Sequence, residues 1–419
     1  MQEKKRFHYG YLILFCCCMY MFVGMGVLHH ALGQFLNPVT TDMGFSVGQF
    51  TFYLTFLGYT QVIVLLFARK LVERFDLRPV LMVASVVFVC GYVVVANAKS
   101  IYYWYVAGVM WGASAAFLAP LPVAILINRW FKKNNGAMIG FAMIFSSIAG
   151  TILSPLMNVV IAKAGWRTGY WTFAGIATVL MVLPTFLILR NWPGDMGLEP
   201  VGADEAGPDD KGEGKKKEEW GYTLKEAMKS PAMWLLMLMA MLMTQGGNFM
   251  QFFTAYFQNN EITALAAMAA SIGMVSGVLF KVPMGVVADK AGAYTVVVIG
   301  SVSAILAFLC AIFMPGSPLM YLGLVLYGIA LSLSMITLPI YVRQTFGTKY
   351  YGDIWSIIVL CFNLMGCMGQ TAIGFIYDVT GGYVGSMVIE IVVYIALIIC
   401  GGLQLVAGKR LRKESRAGA

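Results

Sequence analysis

Charge is scarce in this chain: Asp, Glu, Lys and Arg make up 12% of its 419 residues, against 59% hydrophobic residues. A water-soluble domain carries about twice that share of charge, so a soluble fold is excluded and a membrane chain is implied. Histidine is scarcer still, three in all, and two of them, His29 and His30, are adjacent. Neighbours on a helix point about 100° apart, which does not suit joint chelation of one ion. There is no His-Glu-x-x-His helix and no Gly-x-x-x-x-Gly-Lys-Ser/Thr phosphate loop, which argues against an embedded metalloprotease and against ATP drive from this chain. No nucleophile or paired acid/base constellation recurs either, so an enzyme, a cofactor and a metal are all unexpected. The eight cysteines lie inside apolar runs without zinc or disulfide spacing and read as small hydrophobic residues.

What is there is apolar length. A membrane-spanning helix needs about 20 mostly apolar residues, and candidates fall near 11–36, 48–68, 79–98, 101–128, 136–162, 168–189, 231–258, 264–288, 294–314, 318–341, 352–376 and 383–406. The first follows Lys4, Lys5 and Arg6 like the start of a signal peptide, but its apolar run is too long for one, so it is expected to stay as an uncleaved anchor. Lys and Arg outnumber Asp and Glu, 29 to 20. These bases sit between apolar runs, which points to a lipid bilayer and not to nucleic acid. Of the 29, 25 fall in alternate loops, and the opposite side holds Lys99, Lys163 and Arg167. Cytoplasmic loops carry the Lys/Arg excess, so both termini are expected in the cytoplasm and the chain in the plasma membrane, the inner membrane if the source is a bacterium.

A Gly-, Pro- and charge-rich stretch over 190–230 has the composition of a solvated linker. The expected division is a bundle over 1–190, a cytoplasmic linker over 191–230, a second bundle over 231–408 and a basic tail over 409–419. The linker's end, from Trp220, suits a short amphipathic helix at the membrane surface. The two halves repeat at one offset: Glu73-Arg74 corresponds to Asp289-Lys290, Asn135-Gly136 to Tyr351-Gly352, and Gly165-Trp166 to Gly381-Gly382, each 216 residues apart. A duplicated six-helix unit is a common origin of transporter folds, in which substrate binds between repeats near the midplane.

The segment Gly285-Val-Val-Ala-Asp289-Lys290-Ala-Gly292 resembles the loop signature of the major facilitator superfamily, and Glu73-Arg74 with Arg78 resembles its degraded first copy. Asn37-Pro38, Asn128-Arg129-Trp130-Phe131, Gly165-Trp166-Arg167 and Tyr377-Asp378 followed by Gly381 are similar to the oxalate/formate antiporter and monocarboxylate transporter branch. The resemblance implies an all-α membrane fold of twelve transmembrane helices in two pseudo-symmetric six-helix bundles. It also implies that Asp289, Lys290, Glu73 and Arg74 form a conformational latch; an ordinary solvated turn is the plainer reading.

Lys281 is the most informative single residue, because a base inside a span is costly unless it meets a cavity or a partner. Eight residues before Asp289, it lies about 12 Å up the helix, too deep for a lysine stem to cover fully. The resemblance makes it the anion-binding charge, where the family usually has Arg. His29 or His30 serves either as a structural hydrogen-bonding group or as a proton or substrate contact. Tyr59, Asn248, Tyr327 and Asn363 are further substrate-contact candidates, and Tyr327 matches a family position that supplies an aromatic cavity wall. Glu390, inside the last span, reads as a protonated or neighbour-bonded structural group, with a proton site as the alternative. Gly246-Gly247 is expected to loosen the seventh span.

The expected function is secondary active transport of a small organic anion, a monocarboxylate first, by alternating access, with proton symport or anion exchange left open. A sulfonate or a larger or aromatic carboxylate is the alternative substrate, and a solute receptor that does not transport is a more distant reading. A second family lysine, in the eleventh span, is replaced here by Ile358, which suits one carboxylate better than two. A monomer is expected.

Overall fold

The computed structural model describes residues 8–28, 32–74, 76–118, 120–132, 135–202 and 220–417. Ten helical stretches among them are long and apolar enough to cross a membrane. The longest, Ala137–Leu187, holds two spans, because Gly165 with φ 80° and ψ 165° interrupts the helix there. Val47–Arg74 is a further helix of 28 residues. These two observations bring the long helices to the expected twelve. Gly165 and its repeat partner Gly381, φ 73°, turn the chain in the same place of each repeat, in a region of backbone space that residues with a Cβ rarely enter.

Several spans are built in two pieces. The first runs as Gly10–Tyr20, widens into a π-helical stretch over Met21–Val27, and resumes as Leu32–Phe35 and Leu36–Met43. The seventh is Pro231–Gly247 followed by Met250–Asn259, with the break directly after the Gly246-Gly247 pair. The tenth is Leu319–Leu331 followed by Leu333–Phe346. The eighth, ninth, eleventh and twelfth are Thr263–Ala291, Ala293–Phe313, Tyr351–Thr380 and Val384–Ala417.

Contacts divide the chain into two compact units, Met1–Met43 with Tyr59–Lys215, and Gly44–Gly58 with Lys216–Ala419. In the first unit, Phe35 stacks on Tyr170 with ring centroids 4.1 Å apart, and Tyr92 lies 4.8 Å from Trp111. In the second, Phe249, Phe253, Phe308 and Tyr327 meet edge-on or stacked. Lipid is as apolar as leucine, so helices in a bilayer associate through packing and hydrogen bonds; each such ring pair adds about 0.5–1.5 kcal/mol beyond its burial.

Each end of the linker is stitched to a unit by a single bridge. Val201 pairs with Phe131, its N–H donating to the Trp130 carbonyl at 2.8 Å. Gly221 pairs with Gly347, and the Tyr222 N–H donates to the Phe346 carbonyl at 3.0 Å. Phe131 and Gly347 are again 216 residues apart. The expected surface helix is Leu224–Lys229, opened by Thr223. The Thr223 hydroxyl accepts from the Glu226 N–H while the Glu226 carboxylate accepts from the Thr223 N–H, a reciprocal cap. Those hydrogen bonds hold the Glu226 carboxyl below its usual range.

Candidate functional site

Lys281 sits on Thr263–Ala291. Met268, Val275, Leu279, Val282 and Val286 of that helix are exposed and fall on one stripe at 100° per residue. This is the lipid face. Lys281 lies about 130° from the middle of that stripe, on the side of the buried Ala270, Met274, Gly277, Met284 and Ala288. Yet Lys281 itself is exposed, and among the described residues no carboxylate forms an ion pair with it. A recess of about 330 Å³ on the same helix is walled mostly by apolar side chains, Met268, Ile272, Val275, Leu279 and Phe280 among them, and offers an anion no charge.

The tenth span packs against this helix close to the lysine. Ser276 donates its hydroxyl to the Val325 carbonyl at 2.6 Å, and Ser332 donates to the Gly277 carbonyl at 3.1 Å. Tyr327, on the same span, is fully buried. Its hydroxyl donates to the Gly246 carbonyl at 2.8 Å, and its ring lies against Phe253 and Phe308. The ring expected as a cavity wall is therefore enclosed by its own unit in this conformation, because the break in the seventh span leaves a carbonyl that takes its hydroxyl. Asn248 and Asn363 are half-buried. The Asn248 amide donates to the Gly366 carbonyl at 3.2 Å, and Cys367, on the same turn of the eleventh span, donates to the Asn363 carbonyl. The structure thus brings Asn248 and Tyr327 to the interruption of the seventh span, and Asn248 bonds the eleventh span about one turn from Asn363.

Tyr59 is half-buried on Val47–Arg74. His29 and His30 lie outside the described residues, as do the side chains of Glu73 and Arg74. Asp289 and Lys290 are exposed, without an ion-pair partner among the described residues. A different set of groups ties the loop ends of the first unit. Arg129 donates to the Asn191 side-chain carbonyl and lies 4.2 Å from the Trp192 ring centroid, and Asn191 donates to Asp76 at 3.0 Å. On the Gly165-Trp166-Arg167 turn, the Trp166 indole donates to Asp42 at 2.9 Å and Arg167 pairs with the same carboxylate at 3.3 Å.

Three contacts were not visible in the sequence. Asp378 of the eleventh span accepts from the N–H groups of Val47 and Gly48 at 2.9 and 2.8 Å, where a helix N-terminus favours a negative charge. Deeper along the same pair of helices, the hydroxyls of Thr55 and Thr371 lie 2.7 Å apart, and Thr371 donates to the Thr51 carbonyl. Gln245 donates to the buried Glu390 at 3.1 Å. The available signals were the Tyr377-Asp378 motif itself and the repeat, which places Gln245 opposite His29.

Comparison with known proteins bears on the family and the fold. The chain is similar to the uncharacterized MFS-type transporter YhjX of Escherichia coli (strain K12), 20% identical over 82% of this chain and 84% of that protein. Over 106 residues, 25% of this chain, it is 33% identical to monocarboxylate transporter 4 of Gallus gallus, of which that segment is 22%. A crystal structure of the nucleoside transporter NupG superposes with a TM-score of 0.68 at 15% identity, covering 97% of this chain and 99% of the other, a likeness of fold. The sequence pattern described as Major Facilitator Superfamily matches residues 11–370, and the chain belongs to that superfamily.

Proposed function

We propose that this transporter carries a small organic anion, a monocarboxylate first, and that Lys281 is the charge that binds it. The observation that carries the reading is the placement of Lys281: exposed, unpaired by any described carboxylate, and turned well away from the lipid stripe of its own helix. A cation held that way inside a span is stable when water or an anion meets it. The partial likeness to monocarboxylate transporter 4 supports a carboxylate over other anions. Asn248 and Asn363, half-buried in the same unit, supply neutral hydrogen-bonding groups. Tyr59, His29 and His30 are candidates on the first unit, and Asp289, Lys290, Glu73 and Arg74 on the loops are proposed to pair in another conformation.

A monoanion entering a cell with a negative interior works against about 2.3 kcal/mol per 100 mV. Uptake therefore needs a proton carried along or an anion exchanged. The proposed membrane is the plasma membrane, with both termini and the linker on the cytoplasmic side. A single cysteine placed in the linker of a cysteine-free chain should label only after permeabilisation; labelling from outside intact cells would reverse the orientation.

The test of the site is affinity for a panel of small carboxylates and sulfonates in wild type, Lys281→Gln and Lys281→Arg at matched thermal stability. The Gln variant should lose binding, since the anion would be desolvated without a partner. Arg keeps the charge but carries a larger planar fork, and should retain part of it. Unchanged affinity in Lys281→Gln removes the lysine from the site.

A further inference from the structure

Glu390 is the other ionisable group deep in the second unit, and nothing in the anion-binding reading uses it. Its side chain is 1% exposed. One oxygen, Oε1, accepts from the Gln245 amide at 3.1 Å. The other, Oε2, has no hydrogen-bond partner among the described residues, and neither has Oε1 of Gln245, although both atoms are buried. Two buried acceptors face a shortage of donors. An ionised carboxylate would leave a full charge buried against a single neutral N–H, which is costly. A neutral acid supplies the missing donor as an O–H.

Among the described residues the surroundings contain no countercharge. The seventh, ninth and eleventh spans and the second piece of the tenth pack against this helix. Their charged residues are Arg343, Asp353 and Asp378, all near helix ends. The titratable groups near enough to interact with Glu390 are Tyr327 and Tyr394. Both of these hydroxyls donate to one carbonyl, that of Gly246, at 2.8 and 2.9 Å, and Gly246 follows Gln245 at the point where the seventh span breaks. Gln245 also presses on the eleventh span: a Cβ built on Gly369 would come within 1.9 Å of its Oε1.

We propose that Glu390 is a proton-binding site, neutral in this conformation, and that Gln245 with the two tyrosines transmits its state to the broken seventh span. The step is simple protonation: a proton from water binds a carboxylate oxygen to give the acid, and leaves by the same bond. When it leaves, the buried anion draws on the Tyr327 and Tyr394 hydroxyls, which must release Gly246 to reach it. The carbonyl at the break then loses both of its side-chain donors, and the segment bearing Asn248 is freed to move. As a statement about coupling this rests on the transport reading; as a statement about a proton site it does not.

Two measurements separate those parts. Infrared difference spectra of the purified full chain, titrated from about pH 5 to about pH 9 around the ordinary carboxyl and histidine range, should show a protonated-carboxyl band that is absent in Glu390→Gln. Gln245→Leu should move the midpoint of that band, a readout that a packing role for Gln245 would leave in place. Identical carboxyl spectra in wild type and Glu390→Gln overturn the site. Proteoliposomes under an inward proton gradient, supplied with labelled formate, acetate, lactate or benzoate, test the coupling. The Gln variant should lose the acceleration by the gradient and keep counterflow exchange, and acceleration equal to wild type overturns the coupling. A wild type that moves none of the four acids counts against the anion-transport reading, and the infrared arm still decides the site. If Glu390→Gln does not fold, Glu390→Asp should shift the band instead, and an unshifted band has the same negative meaning.

Discussion

At the repeat offset of 216 residues, Tyr92 and Trp111 of the first unit correspond to Phe308 and Tyr327 of the second. Both pairs are in ring contact, with centroids 4.8 and 5.6 Å apart. Trp111 and Tyr327 each spend their polar atom on a main-chain carbonyl, of Phe88 and Gly246 respectively. The packing has been kept through the duplication. The ionisable groups have not: the counterparts of Lys281 and Glu390 are Leu65 and Ala174, and the counterpart of Gln245 is His29. At these two positions the first repeat holds apolar residues where the second holds a lysine and a carboxylic acid. Packing alone needs neither of them, which makes them the places to look for substrate and proton chemistry.

The two repeats also differ in what they hold at their ends. Asp378 caps Val47–Arg74, whereas the residue 216 before it is Ala162. Gly44–Gly58, part of the first repeat by sequence, belongs by contacts to the second unit. Repeat and packing unit therefore part company at the second span.

The strongest way to break this comparison is to move the charge. In a chain carrying Lys281→Leu and Leu65→Lys, anion binding should be absent, and Leu65→Lys alone should cost about 2.5–3.5 kcal/mol, the usual price of a lysine in mid-span. Binding assays and thermal melts of the swap and both single variants check this; restored binding in the swap would show that the repeats are interchangeable. A smaller effect tests the allegiance of Gly44–Gly58. A Cβ at Gly58 would fall 1.7 Å from the Cys367 sulfur, so Gly58→Ala should cost about 1–3 kcal/mol by overpacking. Cys367→Ala in the same chain should return part of it, since the Cys367 Cβ, 2.6 Å from the added methyl, stays in place. Additive melting shifts in the double variant would mean that the two residues do not touch. Smaller again is Asp378→Asn, which keeps one acceptor oxygen and loses the charge at the helix N-terminus, worth about 1 kcal/mol. Denaturation in mild detergent should resolve it, and Asp378→Ala should exceed it.

Spans were legible because a bilayer demands apolar length, and length is written in the chain one residue after another. The repeat was legible for a similar reason: loop residues such as Asp289 and Gly381 keep their spacing. Lys281 announced itself by cost. Contacts between distant helices were not legible, since depth along a helix says nothing of direction around it. Tyr327 has the depth of a cavity residue but points into the Phe253–Phe308 cluster. Glu390 could be placed inside the last span, yet its partner Gln245 lies 145 residues away, and no local pattern joins them. The same holds for Asp378, whose motif was visible while its role as a cap for a helix some 330 residues earlier was not.

The two bridges at the ends of the linker bear on how the chain is made. Because Val201 is fastened to Phe131 and Gly221 to Gly347, each half carries within its own sequence the pieces needed to tie off its own edge. Both sides of the first bridge precede the seventh span in the chain, whereas the second bridge joins Gly221 to Gly347 across four spans. A gene cut between those anchors, within 203–219, would give two polypeptides that each retain both sides of their own bridge. Closure of each half is in this sense written within that half alone.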